Sequence, residues 1–227
     1  MYKRIIFIVA IIFTFMPLSF AIEPYYAEYK FLKNSIKFAE SQHSLKKHEL
    51  GWTINSSTKP AGILSFIYKK RTENSFFTFD DDIFKTIEYS FINYKSDKIN
   101  KVITRSSNDK LISTINDVTK KEHSKEYLID RLVAQMFGYK FTHLENIQVI
   151  DKGRERNYSF KQISSENIST ILSEATRTIL VQKNIIGSKR KTLTWYAIEY
   201  NYLPVKIEQY RLSELKFSAH LTSFKKK

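Results

Sequence analysis

Apolar and polar residues alternate along most of the chain, in short runs. The clearest is Ile87-Glu88-Tyr89-Ser90-Phe91, where successive side chains point to opposite faces of a strand and one face is apolar. Residues 194–200 alternate too, with Trp195 on one face and Tyr196, Ile198 and Tyr200 on the other. The same period predicts strands over residues 25–32, 36–45, 51–55, 75–79, 101–105, 111–115, 146–150, 157–162, 176–182, 205–210 and 216–223. Turn formers separate several of them: Lys33-Asn34-Ser35, Asp80-Asp81-Asp82, Ser106-Ser107-Asn108-Asp109 and Asp151-Lys152-Gly153. Short strands at this density predict a mainly β fold, an antiparallel β-sheet or open, barrel-like sheet with one or two short helices.

Two segments break the alternation. In residues 126–137, Leu128, Ile129, Leu132, Val133, Met136 and Phe137 recur at three- and four-residue spacing and predict a helix with one apolar face. Glu126 suits the positive end of its dipole, and Gly138 can end it. Its apolar face either plugs the sheet as core or lids a pocket there. A second, shorter helix is predicted to start at Thr58-Lys59-Pro60, with Ile63, Leu64, Ile67 and Tyr68 on one face and Lys69-Lys70-Arg71 at its end. The polar stretch 106–125 reads as a surface hairpin or a connection between two sheet-rich halves.

The N-terminus has a different character. Lys3 and Arg4 precede an apolar run over residues 5–15, with Thr14 its one polar residue, and Ser19-Phe20-Ala21 places small residues where a signal peptidase reads. The run is shorter than the roughly 20 residues that span a bilayer. A cleavable signal peptide over residues 1–21 is therefore expected, with cleavage between Ala21 and Ile22 and export to the periplasm. No Cys stands at the junction to carry a lipid anchor. Residues 22–227 then form one β-rich domain without a transmembrane segment.

Charge and composition narrow the chemistry. The formal charge is +14, and +12 once Lys3 and Arg4 are removed. Such an excess attracts polyanions. Outside the inner membrane these are lipid headgroups and envelope polymers, not nucleic acid, so peripheral contact with anionic surfaces is expected. The chain has no Cys, which excludes thiol catalysis and Cys-ligated metals, and only 5 Gly, too few for a Gly-rich phosphate loop. His43, His48, His123, His143 and His220 show no zinc-site spacing. Asp80-Asp81-Asp82 lacks the spaced acids of a calcium loop, and no nucleophile motif stands in a supporting context. No cofactor, no metal and no catalytic residue are expected, and the protein reads as a non-enzyme.

The C-terminal half carries a more specific pattern. Ile129-Asp130-Arg131-Leu132 is followed by Ile150-Asp151-Lys152-Gly153-Arg154, the strand Tyr158-Ser159-Phe160, then Thr194-Trp195-Tyr196 and Leu203-Pro204-Val205-Lys206. This order resembles the exported bacterial family called domain of unknown function 3108 (DUF3108). The resemblance implies a β-rich periplasmic fold with an Asp-Gly-Arg-like turn and a Trp-Tyr…Leu-Pro-Val hairpin. Here Lys152 interrupts the Asp-Gly pair. It marks Asp130, Asp151, Gly153, Arg154, Trp195, Tyr196 and Pro204 as motif positions with structural roles. Asp151 and Gly153 suit a tight turn, Pro204 a strand start that needs no N–H, and Trp195 core packing.

The leading expectation is a protein whose curved sheet binds an apolar or amphipathic envelope molecule, a lipid for example. The alternative is an envelope assembly or scaffold protein that binds another protein through a sheet edge. A hydrolase of wall or lipid material comes third.

Overall fold

The computed structural model describes residues 22–66, 68–107, 110–123 and 128–227. The signal peptide expected over 1–21 lies outside them, as do Ile67, Glu126 and Tyr127 of the predicted helices.

Among the described residues, fifteen strands form a single meander. They are β1 (Tyr25–Lys33), β2 (Ile36–His48), β3 (Gly51–Pro60), β4 (Tyr68–Asp80), β5 (Ile83–Lys95), β6 (Ile99–Ser107), β7 (Lys110–Ile115), β8 (Thr119–His123), β9 (Ile129–Asp130), β10 (Ile147–Asp151), β11 (Arg154–Ile168), β12 (Thr176–Ile185), β13 (Arg190–Ala197), β14 (Leu203–Arg211) and β15 (Glu214–Lys226). One α-helix, α1 (Arg131–Met136), lies between β9 and β10. The sheet order is β8-β7-β6-β5-β4-β3-β2-β1-β15-β14-β13-β12-β11-β10-β9. The chain thus starts in the middle of its own sheet, where β1 pairs with β2 on one side and with the last strand, β15, on the other. All pairs are antiparallel except β9 with β10. The expected mainly β, open barrel-like class is what the structure shows.

Local sequence accounts for the hairpins. Asn34-Ser35, Asp81-Asp82 and Asn116-Asp117 all have positive φ at both turn positions, the type I′ geometry that matches strand twist and that Asn and Asp tolerate. At Asp151-Lys152-Gly153 the expectation needs correction. Asp151 belongs to β10 and pairs with Arg154, while Lys152 (φ 53°) and Gly153 (φ 74°) make the turn. Gly153 is required twice over, because a Cβ there would sit 3.1 Å from Val102 and 3.3 Å from Ile115.

That contact shows how the sheet ends. The sheet curls without closing its ladder, and its two ends overlap through side chains. The β10–β11 turn presses on β6 and β7. Lys152 lies over the Phe91 ring at 4.6 Å. His123 at the end of β8 bonds Glu155 on β11, Nδ1 to Oε1 at 2.9 Å. Lys140 pairs with Asp82 across the same junction at 2.6 Å.

The helix lies inside the curl. Leu132, Val133, Ala134 and Met136 are all buried, against Leu45, Ile54, Phe77 and Phe91 from one arm and Val149, Phe160 and Val181 from the other. Its apolar face is a plug, not a lid. It is also shorter than the predicted 126–137: Ile129 and Asp130 form β9, and the helix starts at Arg131. Leu128 and Ile129 are buried all the same, so their spacing recorded burial rather than helical turns. Asp130 caps the helix. Its Oδ1 accepts from the Leu132 and Val133 amides, and its Oδ2 accepts from Ser75 Oγ at 2.5 Å and Thr86 Oγ1 at 2.9 Å.

The second predicted helix is corrected further. Thr58, Lys59 and Pro60 end β3, where a missing N–H is tolerated, a 3₁₀ turn follows over Gly62–Phe66, and Lys69, Lys70 and Arg71 already belong to β4. The polar stretch 106–125 contains the β7–β8 hairpin, and β8 is an edge strand whose Lys and Glu side chains hide its alternation.

Asp130→Ala should remove a cap worth about 0.5–2 kcal/mol and leave two buried hydroxyls short of an acceptor at about 1–3 kcal/mol. A combined loss of about 2–5 kcal/mol is expected in denaturant unfolding. Arg154→Ala, an exposed motif position, should stay within about 0.5 kcal/mol of the parent.

Candidate functional site

Three constellations carry chemistry. The first is a cavity of about 190 Å³ beside the start of α1. Its walls include Arg71 and Glu73 from β4, Arg131 from α1, Asp151 and Lys152 from the β10–β11 hairpin, Lys183 from β12 and Arg190 from β13, five cations and two carboxylates. Glu73 is 3 % exposed. Arg131 and Arg71 lie 3.5 Å and 3.6 Å from its Oε1, and the Tyr89 hydroxyl donates to its Oε2. Burial pushes the Glu73 carboxyl up, but Arg131, Arg71 and Lys152 outweigh it and hold it below the usual range. Arg131 also lies 3.6 Å from Asp151 Oδ1, a Coulombic contact too long for a hydrogen bond. The Tyr158 hydroxyl donates to the other oxygen of Asp151. Among the described residues no carboxylate lies within ion-pairing distance of Lys152, Lys183 or Arg190. Burial, and then the charge of Arg131, bring Lys183 down to about 8.

The second is an open cleft of about 1360 Å³ on a different part of the curl. Phe84, Ile129, Phe141, Leu144, Ile147 and Ile179 supply its apolar wall, with Asp82, Lys140 and His143 among its polar residues. At its edge Tyr139 and Tyr202 stack, with centroids 4.3 Å apart and planes at 11°. The same two tyrosines also line a pocket of about 240 Å³ with Tyr25, Leu45, Phe137 and Phe224.

The third is a line of hydrogen bonds. Thr104 Oγ1 meets Ser113 Oγ at 2.8 Å, Ser113 Oγ meets His123 Nε2 at 2.9 Å, and His123 Nδ1 meets Glu155 Oε1 at 2.9 Å. Hydroxyl, imidazole and carboxylate stand in the order a serine hydrolase uses. Ser113 and His123 are 0 % exposed, however, and Ser113 sits mid-ladder between Thr104 and Lys121. A substrate carbonyl has no approach to this oxygen. The chain of bonds instead ties the edge strand β8 to β11.

The motif positions from the sequence do not form one site. Asp130 and Asp151 come together on either side of Arg131, and Gly153 fixes the turn beside them. The Tyr196 hydroxyl donates to the Gln135 carbonyl of α1 at 2.9 Å. Trp195 is buried in a separate cluster with Leu180, Val205 and Leu221, donates to Glu166 at 2.8 Å and lies under Lys206. The Pro204 carbonyl accepts from Tyr29 Oη, and Arg154 is exposed. Among the described residues no group of three or more His, Asp or Glu is placed to hold a metal ion, and no helix is long and apolar enough to cross a membrane.

Sequence reasoning missed His43, Arg71, Glu73, Lys183 and Arg190. A signal was present for three of them. Glu73 shares strand parity with Phe77, Lys183 with Val181, and His43 with Leu45, each an inward apolar position. A charge on the apolar parity of a strand is the mark of a polar interior.

Because the folded carboxyl of Glu73 is lowered, its contribution to stability is present above the ordinary Glu value of about 4.3 and is lost as pH falls through the lower folded value. Glu73→Gln should therefore cost about 3–5 kcal/mol near neutrality, and the gap to the parent should narrow in acid, as measured by urea unfolding across pH. A fluorophosphonate probe should leave Ser113 unlabelled in the native protein, as read by peptide mass analysis.

No family model matches the chain, and no curated protein does. In structure it is similar to a β-barrel-like protein of domain of unknown function 1849 from Brucella abortus, with a TM-score of 0.59 over 90 % of this chain and 98 % of that one, at 8 % identity. It is less similar to a chain from Bacteroides fragilis described as exported with a YmcC-like fold (TM-score 0.36, 13 % identity, 90 % of this chain and 97 % of that one). The same holds for one from Parabacteroides distasonis described as a lipoprotein (TM-score 0.35, 14 % identity, 90 % and 96 %). The first likeness shows the fold alone: a barrel-like sheet that does not close.

Proposed function

We propose that this is an exported, non-enzymatic envelope protein that binds an apolar or amphipathic molecule in the open cleft. One observation carries the reading. The cleft exceeds the few hundred to about 1,000 Å³ of ordinary ligand pockets, and the exposed Leu144 and half-buried Ile147 present apolar surface in it next to polar residues, with the buried Phe84 and Phe141 also in its wall. The Tyr139–Tyr202 pair lines both this cleft and the aromatic pocket of Tyr25 and Phe137, so the two cavities are neighbours. The segment 1–21 supports export, and the motif order that resembles DUF3108 supports the same compartment. The mature charge of +12 favours residence near anionic lipid.

The scaffold alternative draws less support from the sheet edges. One end of the sheet is β8, with exposed Lys120 and Lys121, and the other is the two-residue β9. Short and charged edges are the devices that discourage strand addition.

A fluorescent fatty acid should bind the purified protein saturably. Leu144→Asp, at a position 41 % exposed, should weaken that binding about tenfold while leaving the unfolding midpoint close to the parent's. Absence of uptake by the parent protein would overturn the reading. Native mass spectrometry of protein from its own host then identifies the molecule carried.

A further inference from the structure

The charged cavity shares no lining residue with the apolar cleft or the aromatic pocket, so it needs its own account. A folded protein keeps charges inside when they are paired, and leaving one unpaired is costly. Here the pairing is incomplete in one direction. Glu73 and Asp151 each face Arg131, and Glu73 also faces Arg71. Lys183 has the Tyr158 ring at 5.0 Å, and Lys152 has Phe91 at 4.6 Å. These ring faces are weak substitutes for a carboxylate.

The neutral groups of the wall are also incompletely paired. His43 is buried on this cavity wall, and its Nε2 meets Ser41 Oγ at 2.9 Å and Ser56 Oγ at 3.2 Å. Thr58 Oγ1 donates to Ser41 Oγ. Burial holds this imidazole at about 4, hence neutral near pH 7. His43 Nδ1 is buried and has no hydrogen-bond partner. The cavity thus combines surplus positive charge with buried polar atoms, His43 Nδ1 and Asp151 Oδ1, that lack hydrogen-bond partners within the protein.

We propose that this cavity binds a phosphate-type oxyanion, with Arg131 and Lys183 as the inner cations and Arg71, Lys152 and Arg190 at the rim. A volume of about 190 Å³ is several times the roughly 30 Å³ that one water takes in the liquid, enough for a tetrahedral anion and ordered waters. Guanidinium forks suit its oxygens, and lysines supply point charges. The anion completes the pairing that Glu73 and Asp151 begin. Free phosphate and the phosphate of a lipid headgroup share this chemistry, and the rim cations permit either source.

The test is calorimetry at physiological salt with inorganic phosphate, and in parallel flotation with phosphatidylcholine vesicles with and without phosphatidic acid. Binding of inorganic phosphate is expected, reduced about tenfold or more in Lys183→Met, the loss a charge-assisted hydrogen bond carries. Arg190→Gln, on the exposed rim, should weaken binding without affecting folding and serves if Lys183→Met is unstable. Lys47→Met, outside the cavity lining, should leave it unchanged. Vesicle binding that requires phosphatidic acid and is lost in both cavity variants, without inorganic phosphate binding, assigns the site to a headgroup. Absence of both kinds of binding, or binding equally strong in the cavity variants, overturns the proposal. Neither result touches fatty-acid uptake by the cleft, so the two sites stand or fall separately.

Discussion

The structure depends on how a sheet that does not close is held shut. Fifteen strands in one meander leave two free ends, and a free end is a row of unpaired amides and carbonyls. Here side chains replace the missing ladder. Asp130 does most of this. It belongs to the end strand β9, caps α1, and accepts from Ser75 on β4 and Thr86 on β5, while its own amide donates to Thr86 Oγ1. One carboxylate therefore positions the helix and joins both arms of the sheet. Its burial raises its pKa and its four donors lower it, with burial the larger. The cost of keeping it there is accepted because no apolar residue can serve four donors at once.

The His123–Glu155 bond does the same task at the other end. Its resemblance to a catalytic triad illustrates why geometry alone does not assign chemistry. Distances of 2.9 Å satisfy the pattern, but a nucleophile must also meet a substrate. A serine enclosed on a strand between two neighbours has no room for one, and its strand has no free amides to hold an oxyanion. The same three residue types that make a hydrolase at a surface make a latch in an interior.

Much of this fold was legible from alternation. The hairpin turns at Asn34-Ser35 and Asp81-Asp82, the class of fold and the buried face of Tyr89 and Phe91 follow from period and turn chemistry. What failed did so for identifiable reasons. Leu128 and Ile129 are apolar because β9 and the residue before it are buried, and a buried strand running into a short helix imitates a longer helix. Pro60 ends a strand as readily as it begins a helix, and tertiary pairing of β3 with β2 decided it. The seven motif positions scattered because each solves a separate local problem: a cap at Asp130, a turn at Gly153, a bulge beside Tyr196.

The interior charge follows from the same curl. A flat antiparallel sheet exposes one face, so a Lys or Glu at alternate positions meets water. When the sheet rolls around a plug of only six helical residues, that helix fills part of the interior and leaves the rest to be lined by strands alone. Parity still aims Glu73, Lys183 and His43 inward, where they meet the charges of Arg71, Arg131 and Asp151 as well as apolar side chains. An interior of this kind is either packed with paired charges or kept open for an ion and water. Glu73 and Asp151 supply part of the pairing, and the cations outnumber them. The short helix therefore sets both properties of the molecule. Its buried face closes the core, and its first turn, through Arg131, gives the remaining space its sign.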